Sequence, residues 1–131
     1  HLEAHAMAEE KYFYPTLLQL GKGALDSDSA DETTEDAIDD HNKIANAADA
    51  ALNEEVGSDA WWKCVDKANY QNSAHLSEEE RQGLTDFRRR VPLEKRIALG
   101  IKYLAFEADH VTNVEREEKD PDAYIEENEA A

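Results

Sequence analysis

The chain reads as an all-α, up-and-down helical bundle, and three observations carry that reading. Its three prolines and five glycines are sparse enough to leave long uninterrupted stretches. Ala, Glu, Leu, Lys and Arg dominate those stretches, and these residues lose little side-chain freedom in a helix. Apolar positions within them recur at intervals of three and four, which gathers them on one helical face. With 131 residues, 40% of them hydrophobic, the chain can bury one core and is too short for two independent ones.

The first helix is expected over residues 1–20, with Leu2, Met7, Phe13, Leu17 and Leu20 on a broad apolar face and Gly21 and Gly23 ending it. Pro15 forfeits a backbone hydrogen bond inside this stretch and predicts a bend after Tyr14. A polar loop over 24–31 leads to Thr33 or Thr34 as the cap of a second helix, which runs to about Val56 and stops at Gly57. His41 lies three residues after Ile38 and three before Ile44, on that helix's apolar stripe. Ser58 or Asp59 caps a third helix over 60–90, with Trp61, Trp62, Val65, Ala68, Leu76, Leu84 and Phe87 as core candidates. His75 falls two turns beyond Ala68 on the same stripe, and Pro92 ends the helix. A fourth helix over 93–111 presents Ile97, Ile101, Leu104, Ala105 and Ala108 as its apolar side. Residues 1–111 form the bundle, and 112–131 form an acidic tail that either docks through Tyr124 and Ile125 or stays mobile.

Thirty-one acidic residues against fourteen Lys and Arg leave a formal net charge of −17, which repels a phosphate backbone and argues against nucleic acid as a partner. No apolar run approaches the ~20 residues a membrane span needs. The single cysteine, Cys64, has no partner for an internal disulfide, and no signal-type segment is visible, so the expected compartment is the cytoplasm.

The chemistry is concentrated in a pattern written twice, His5-Ala-Met-Ala-Glu9 and His75-Leu-Ser-Glu-Glu79. Each places an imidazole and a carboxylate one turn apart on one helical face. One such pair is ordinarily a surface contact worth ~0.2–0.5 kcal/mol. Two of them, with His41 on the stripe of the helix between, are the way a helical bundle assembles a di-iron or di-manganese centre. The candidate metal ligands are therefore His5, Glu9, His41, His75 and Glu79. Asp40, Glu78 and Glu10 stand beside ligands and are candidates for orienting them or for admitting cations.

The runs His5-Ala-Met-Ala-Glu9-Glu10-Lys-Tyr-Phe-Tyr14-Pro15 and His75-Leu-Ser-Glu78-Glu79-Glu80-Arg, with Asp40-His41-Asn-Lys-Ile between them, resemble the hemerythrin-like family, also called the HHE cation-binding domain, over roughly residues 1–90. The resemblance implies an antiparallel bundle around a non-haem di-iron centre: two iron ions, bridged by Glu9 and Glu79 and capped by His5, His41 and His75. Glu80 is the reserve for Glu79. Zinc or manganese also suits this donor set. The family's usual first helix, which brings a further histidine, has no counterpart before His5, and His1 or His110 is the available substitute. The fourth helix, or the second subunit of a homodimer, is expected to cover the side thus left open. The implied function is to bind or sense a small ligand such as dioxygen or nitric oxide. The alternatives are a di-iron enzyme that decomposes peroxide or oxidises ferrous iron, and a metal-free helical interaction module.

Overall fold

A computed structural model describes residues 1–24, 28–112 and 114–129, and in these the chain is helical without strands. Residues 25–27 of the expected loop, and 113 and 130–131 of the expected tail, lie outside the described residues. The first expected helix is one rod of three pieces: α1 (Leu2–Ala8), a π-helical stretch (Glu9–Phe13) and α2 (Tyr14–Leu20). Pro15 near the start of α2 accounts for the middle piece. Lacking an N–H, it cannot continue the regular ladder, and the preceding turn widens so that the Tyr14 N–H bonds to the Glu9 carbonyl, five residues back. The expected bend is thus taken up as a π turn just before Tyr14. Its consequence for the site is direct, because Glu9 and Glu10, neighbours that an α-helix would turn about 100° apart, are both buried.

The next helix, α3 (Ala30–Leu52), begins earlier than expected. Ser29 is its cap: the Ser29 hydroxyl accepts from the Glu32 N–H while the Glu32 carboxylate accepts from the Ser29 N–H. This reciprocal box satisfies two otherwise orphaned donors, which leaves Thr34 free to donate to the Ala30 carbonyl inside the first turn. The chain then turns through Gly57, at φ +85°, into α4 (Asp59–Arg81), capped by Ser58. The expected third helix is broken at Gln82, after which α5 (Gly83–Arg90) runs up to Val91, extended before Pro92. α6 (Leu93–His110) and α7 (Pro121–Glu129) complete the fold.

The core is built where the first rod, α3, α5 and α7 meet. Phe13, Tyr14, Leu17, Ile38, Phe87 and Tyr124 form its centre. The C-terminal segment therefore docks through Tyr124, with Ile125 packed against the same cluster. Two expected apolar faces are placed differently from their hydrophobicity. On α4 only His75 and Glu79 are buried, while Trp62 and Leu76, with Leu84 on α5, stay exposed. The reason is that α4 packs along α3 on one side, while among the described residues its other side opens onto a groove shared with α5 and α6. On α6, Ile97, Ile101 and Leu104 face outward, and the helix packs against α1 and the π turn through Tyr103 and Phe106.

Asp86 on α5 holds the end of the first rod. It is buried, and its carboxylate accepts from the Lys22 N–H at 2.9 Å and the Gly23 N–H at 2.7 Å. Gly21 makes room for this contact, since a Cβ there would lie 2.6 Å from Asp86 Oδ2 and 2.5 Å from the Leu17 carbonyl oxygen. Replacing Asp86 by Ala strands two backbone donors, and the expected loss is about 2 kcal/mol of unfolding free energy in urea titrations. A loss below a few tenths would show that water replaces the carboxylate freely.

Candidate metal centre

Three helical elements bring three imidazoles onto one carboxylate. Glu9, in the π turn, is buried, and its Oε1 lies 2.8 Å from His5 Nε2 on α1. Its Oε2 lies 3.0 Å from His41 Nε2 on α3 and 3.9 Å from His75 Nε2 on α4. Ligand atoms of Glu9, His41 and His75 all lie within 4.8 Å of one another, and all three residues are buried. The two histidine nitrogens themselves, His41 Nε2 and His75 Nε2, approach to 3.1 Å. Two imidazole nitrogens aimed at one another need a shared proton or a cation to face.

The opposite nitrogen of each ring is backed by an acidic side chain from another element. His5 Nδ1 donates to Glu107 on α6 at 2.7 Å, with the Tyr103 hydroxyl 2.8 Å from the same nitrogen. His41 Nδ1 donates to Glu10 Oε1 at 2.8 Å. His75 Nδ1 faces Asp40 Oδ2 at 3.6 Å. A proton held at Nδ1 by a carboxylate leaves Nε2 as the lone-pair nitrogen, and metal-binding histidines are ordinarily prepared in this way.

Glu79, one turn beyond His75, is buried and accepts a 2.9 Å hydrogen bond from the Tyr14 hydroxyl. The two glutamates are pushed in opposite directions. Burial works to raise Glu9, but the His41, His5 and His75 imidazoles around it hold it well below the usual carboxylate range. Burial and the nearby charge of Glu9 instead raise Glu79. Burial also keeps Tyr14 and Tyr103 protonated far above the ordinary phenol range, so both remain donors.

The third acidic group, Glu10, is the hub of a strap formed by the C-terminal segment. Arg116 donates to Glu10 Oε1 through Nε (3.1 Å) and Nη2 (2.7 Å), and to Asn42 Oδ1 through Nη1 (2.9 Å). The Lys119 ammonium donates to Glu10 Oε2, and the Tyr124 hydroxyl donates to the Glu10 carbonyl. Burial works to raise Glu10, yet His41, Lys119 and Arg116 bring its carboxyl down to about 2. It is therefore ionised at any ordinary pH, a fixed acceptor behind His41.

All five sequence-predicted ligands thus lie in or against one cluster: His41, His75 and Glu9 at its centre, His5 bonded to Glu9, and Glu79 beside them on Tyr14. Glu80 and Glu78 point outward and are exposed. His1 is exposed, its ring 6.3 Å from that of His5. His110 is turned onto its own helix, bonded to the Phe106 carbonyl at 2.8 Å and stacked on the Phe106 ring. The open side of His5 is met instead by Tyr103 and Glu107. Sequence reading missed both, and also Arg116 and Lys119; the one usable signal was that α6 carries polar residues on a face that repeats with Phe106.

The cluster suits a cation. Glu9 Oε2 is buried and, although His41 Nε2 approaches to 3.0 Å, it receives no hydrogen bond among the described residues. Imidazole nitrogens with buried carboxylates are the donor set that iron, manganese and zinc accept. An open groove between α4, α5 and α6 reaches this centre, with His5, Glu9, Glu79 and Tyr103 along it and mainly apolar walls, among them Leu76, Leu84 and Leu99.

Without metal, the imidazoles respond to pH in a definite direction. Hydrogen bonding to Glu9 raises His5 to about 9. Burial works to lower His75, but Asp40 and Glu9 raise it to about 10. Both lie above the ~6.5 of an unfolded chain. Their stabilisation of the metal-free fold is therefore complete below pH ~6.5 and is lost as pH rises through 9 and 10. Metal binding must displace these protons, so affinity rises over the same window. Thermal melts with and without chelator are expected to diverge progressively from pH 6.5 upward, and curves that stay parallel would refute histidine ligation.

Comparison with known proteins returns no match of any kind: no family model, no curated protein and no solved structure aligns with the chain. Among the described residues no helix is long and apolar enough to cross a membrane.

Proposed function

We propose that this chain is a non-haem iron protein of the hemerythrin-like kind, whose buried cluster holds two iron ions and binds or senses a small ligand such as dioxygen or nitric oxide. One observation carries the reading. Each of three histidines turns one nitrogen toward the Glu9 carboxylate and has the other backed by a separate acidic residue, Glu107, Glu10 or Asp40. Ordinary buried ion pairs do not require this inward and outward arrangement three times over. Metal ligation does.

His5, Glu9, His41, His75 and Glu79 would hold the ions, with zinc or manganese as the other metals compatible with the set. Iron there supplies one-electron steps and, as a pair, a two-electron exchange with dioxygen or peroxide. The chain's own residues supply the rest. Glu10 and Glu107 fix the rings of His41 and His5. Tyr14 holds Glu79 by a hydrogen bond, and Tyr103 sets a protonated hydroxyl beside His5 at the groove. The apolar groove walls limit water and favour small uncharged ligands.

That same groove, running past Glu9 and Glu79, favours a second reading, an enzyme that decomposes peroxide or oxidises ferrous iron. The deciding experiment is metal analysis and optical spectroscopy of the chain expressed with iron and exposed to air. About two irons per chain with near-ultraviolet ferric bands is the expected result. Turnover of peroxide or ferrous iron would then select the enzyme, and spectral change on adding dioxygen or nitric oxide to the reduced protein would select the binder. A folded chain that takes up no metal would instead be a helical interaction module.

A further inference from the structure

We propose that the outward face of α6 is the contact through which two copies of this chain pair, antiparallel, beside the groove that reaches the candidate centre. The face is apolar and open: Leu93, Ile97, Ile101 and Leu104 are 59, 55, 65 and 66% exposed. From Ile97 the stripe runs Ile97, Ile101, Leu104, Ala108, Val111, steps of four, three, four and three, which is the spacing of a coiled-coil seam. Ala98 and Ala105 flank it without bulk or charge. Four large apolar side chains in line on one exposed helix face are costly in water, and a seam of this period has its own copy as a fitting partner.

Charge selects that occupant and its direction. The chain as a whole carries −17, so a second copy is repelled at most approaches, and an anionic membrane is repelled too. α6 is the exception, since on its exposed surface Lys95 and Lys102 balance Glu94 and Asp109. The balance is also polar along the helix. Of these, Lys95 and Lys102 lie in its first ten residues, against Glu94 alone, and Asp109 lies at its end. A two-fold axis near Tyr103 sets Ile101 of one copy against Leu104 of the other, Ile97 against Ala108, and Lys95 near Asp109. Antiparallel pairing thereby matches opposite charges and opposite helix dipoles, whereas parallel pairing juxtaposes like charges.

The pairing has a consequence for the site, though it does not depend on metal being bound. Gly100 stands between the stripe and the groove, whose far wall carries Leu76 and Leu84, 38 and 44% exposed. A second copy seated on the stripe extends the α6 rim of the groove beyond Gly100 and so narrows the mouth that leads to Glu79 and Tyr103. A seam of 18 residues, about 27 Å long, contributes only part of the roughly 800 Å² per partner of a standard interface, and the adjoining groove rim supplies further surface.

Sedimentation velocity of the whole chain over a wide concentration range tests this. The expected result is a two-chain species that the Ile101→Glu, Leu104→Glu double variant weakens by about tenfold or more, with helical circular dichroism unchanged because both side chains are exposed. Lys95→Glu and Asp109→Lys are each expected to weaken pairing several-fold, and the two together to restore it. A chain that stays monomeric throughout would overturn the proposal. So would a dimer that survives the glutamate substitutions, or charge variants whose combination fails to restore pairing.

Discussion

Glu9→Gln is expected to abolish tight metal binding while leaving the chain helical. Gln keeps the shape of the side chain and removes the charge that three imidazoles converge on. Loss of residues that merely orient a ligand costs roughly 10–100-fold in affinity, so loss of the central carboxylate is expected to exceed about a hundredfold. Competition with a chromophoric chelator reads this directly. The metal-free protein supplies an independent readout, because the hydrogen bond to Glu9 is the largest influence holding His5 at about 9, and Glu9 also supports His75. Without Glu9 both histidines should titrate lower, and the loss of stability between pH 6.5 and 10 should shift downward accordingly. A variant that binds metal as the parent does would remove Glu9 from the centre, and with it the reading of the cluster.

Arg116→Ala is expected to cost about 3 kcal/mol of folding stability. Its side chain is 1% exposed, and it pairs with a Glu10 carboxylate that is 3% exposed. Removing one member of a buried pair leaves the other charge inside without its compensation, which typically costs about 3–5 kcal/mol. Lys119 remains on Glu10 and places the expectation at the lower end. Since Glu10 is also the acceptor behind His41, metal affinity should fall by about tenfold as well. Urea titration of the metal-free chain and metal competition separate the two effects. A stability loss with unchanged affinity would show that the strap holds the fold and does not orient His41. Arg116→Lys should recover part of the stability, because it restores charge without the fork that reaches Asn42 and Glu10 together.

Both substitutions act on groups that differ in how far the sequence exposes them. Glu9 was legible because its relation to His5 is local: four residues along a helix bring two side chains to one face whatever the rest of the chain does. The same logic placed His75 with Glu79, and the stripe of Ile38 and Ile44 turned His41 inward. Glu10 was legible only as a neighbour of a ligand. A regular helix would point it away from Glu9, and the π turn that Pro15 forces is what buries both.

Tyr103, Glu107, Arg116 and Lys119 meet the cluster across about a hundred residues of chain, with separations of 98, 102, 106 and 109. No local spacing encodes such contacts. Hydrophobicity pointed the other way on α6, where Ile97, Ile101 and Leu104 are the natural core residues and are instead exposed. The helix is turned so that Phe106 packs with Tyr12 while Tyr103 and Glu107 meet His5. The sequence by itself determined the helical class and the inward-facing histidines and glutamates, because helical periodicity is a property of neighbours. The tertiary structure alone decided which carboxylate backs each imidazole and which face of α6 is left to solvent, because those depend on how whole helices rotate against one another to satisfy buried charge.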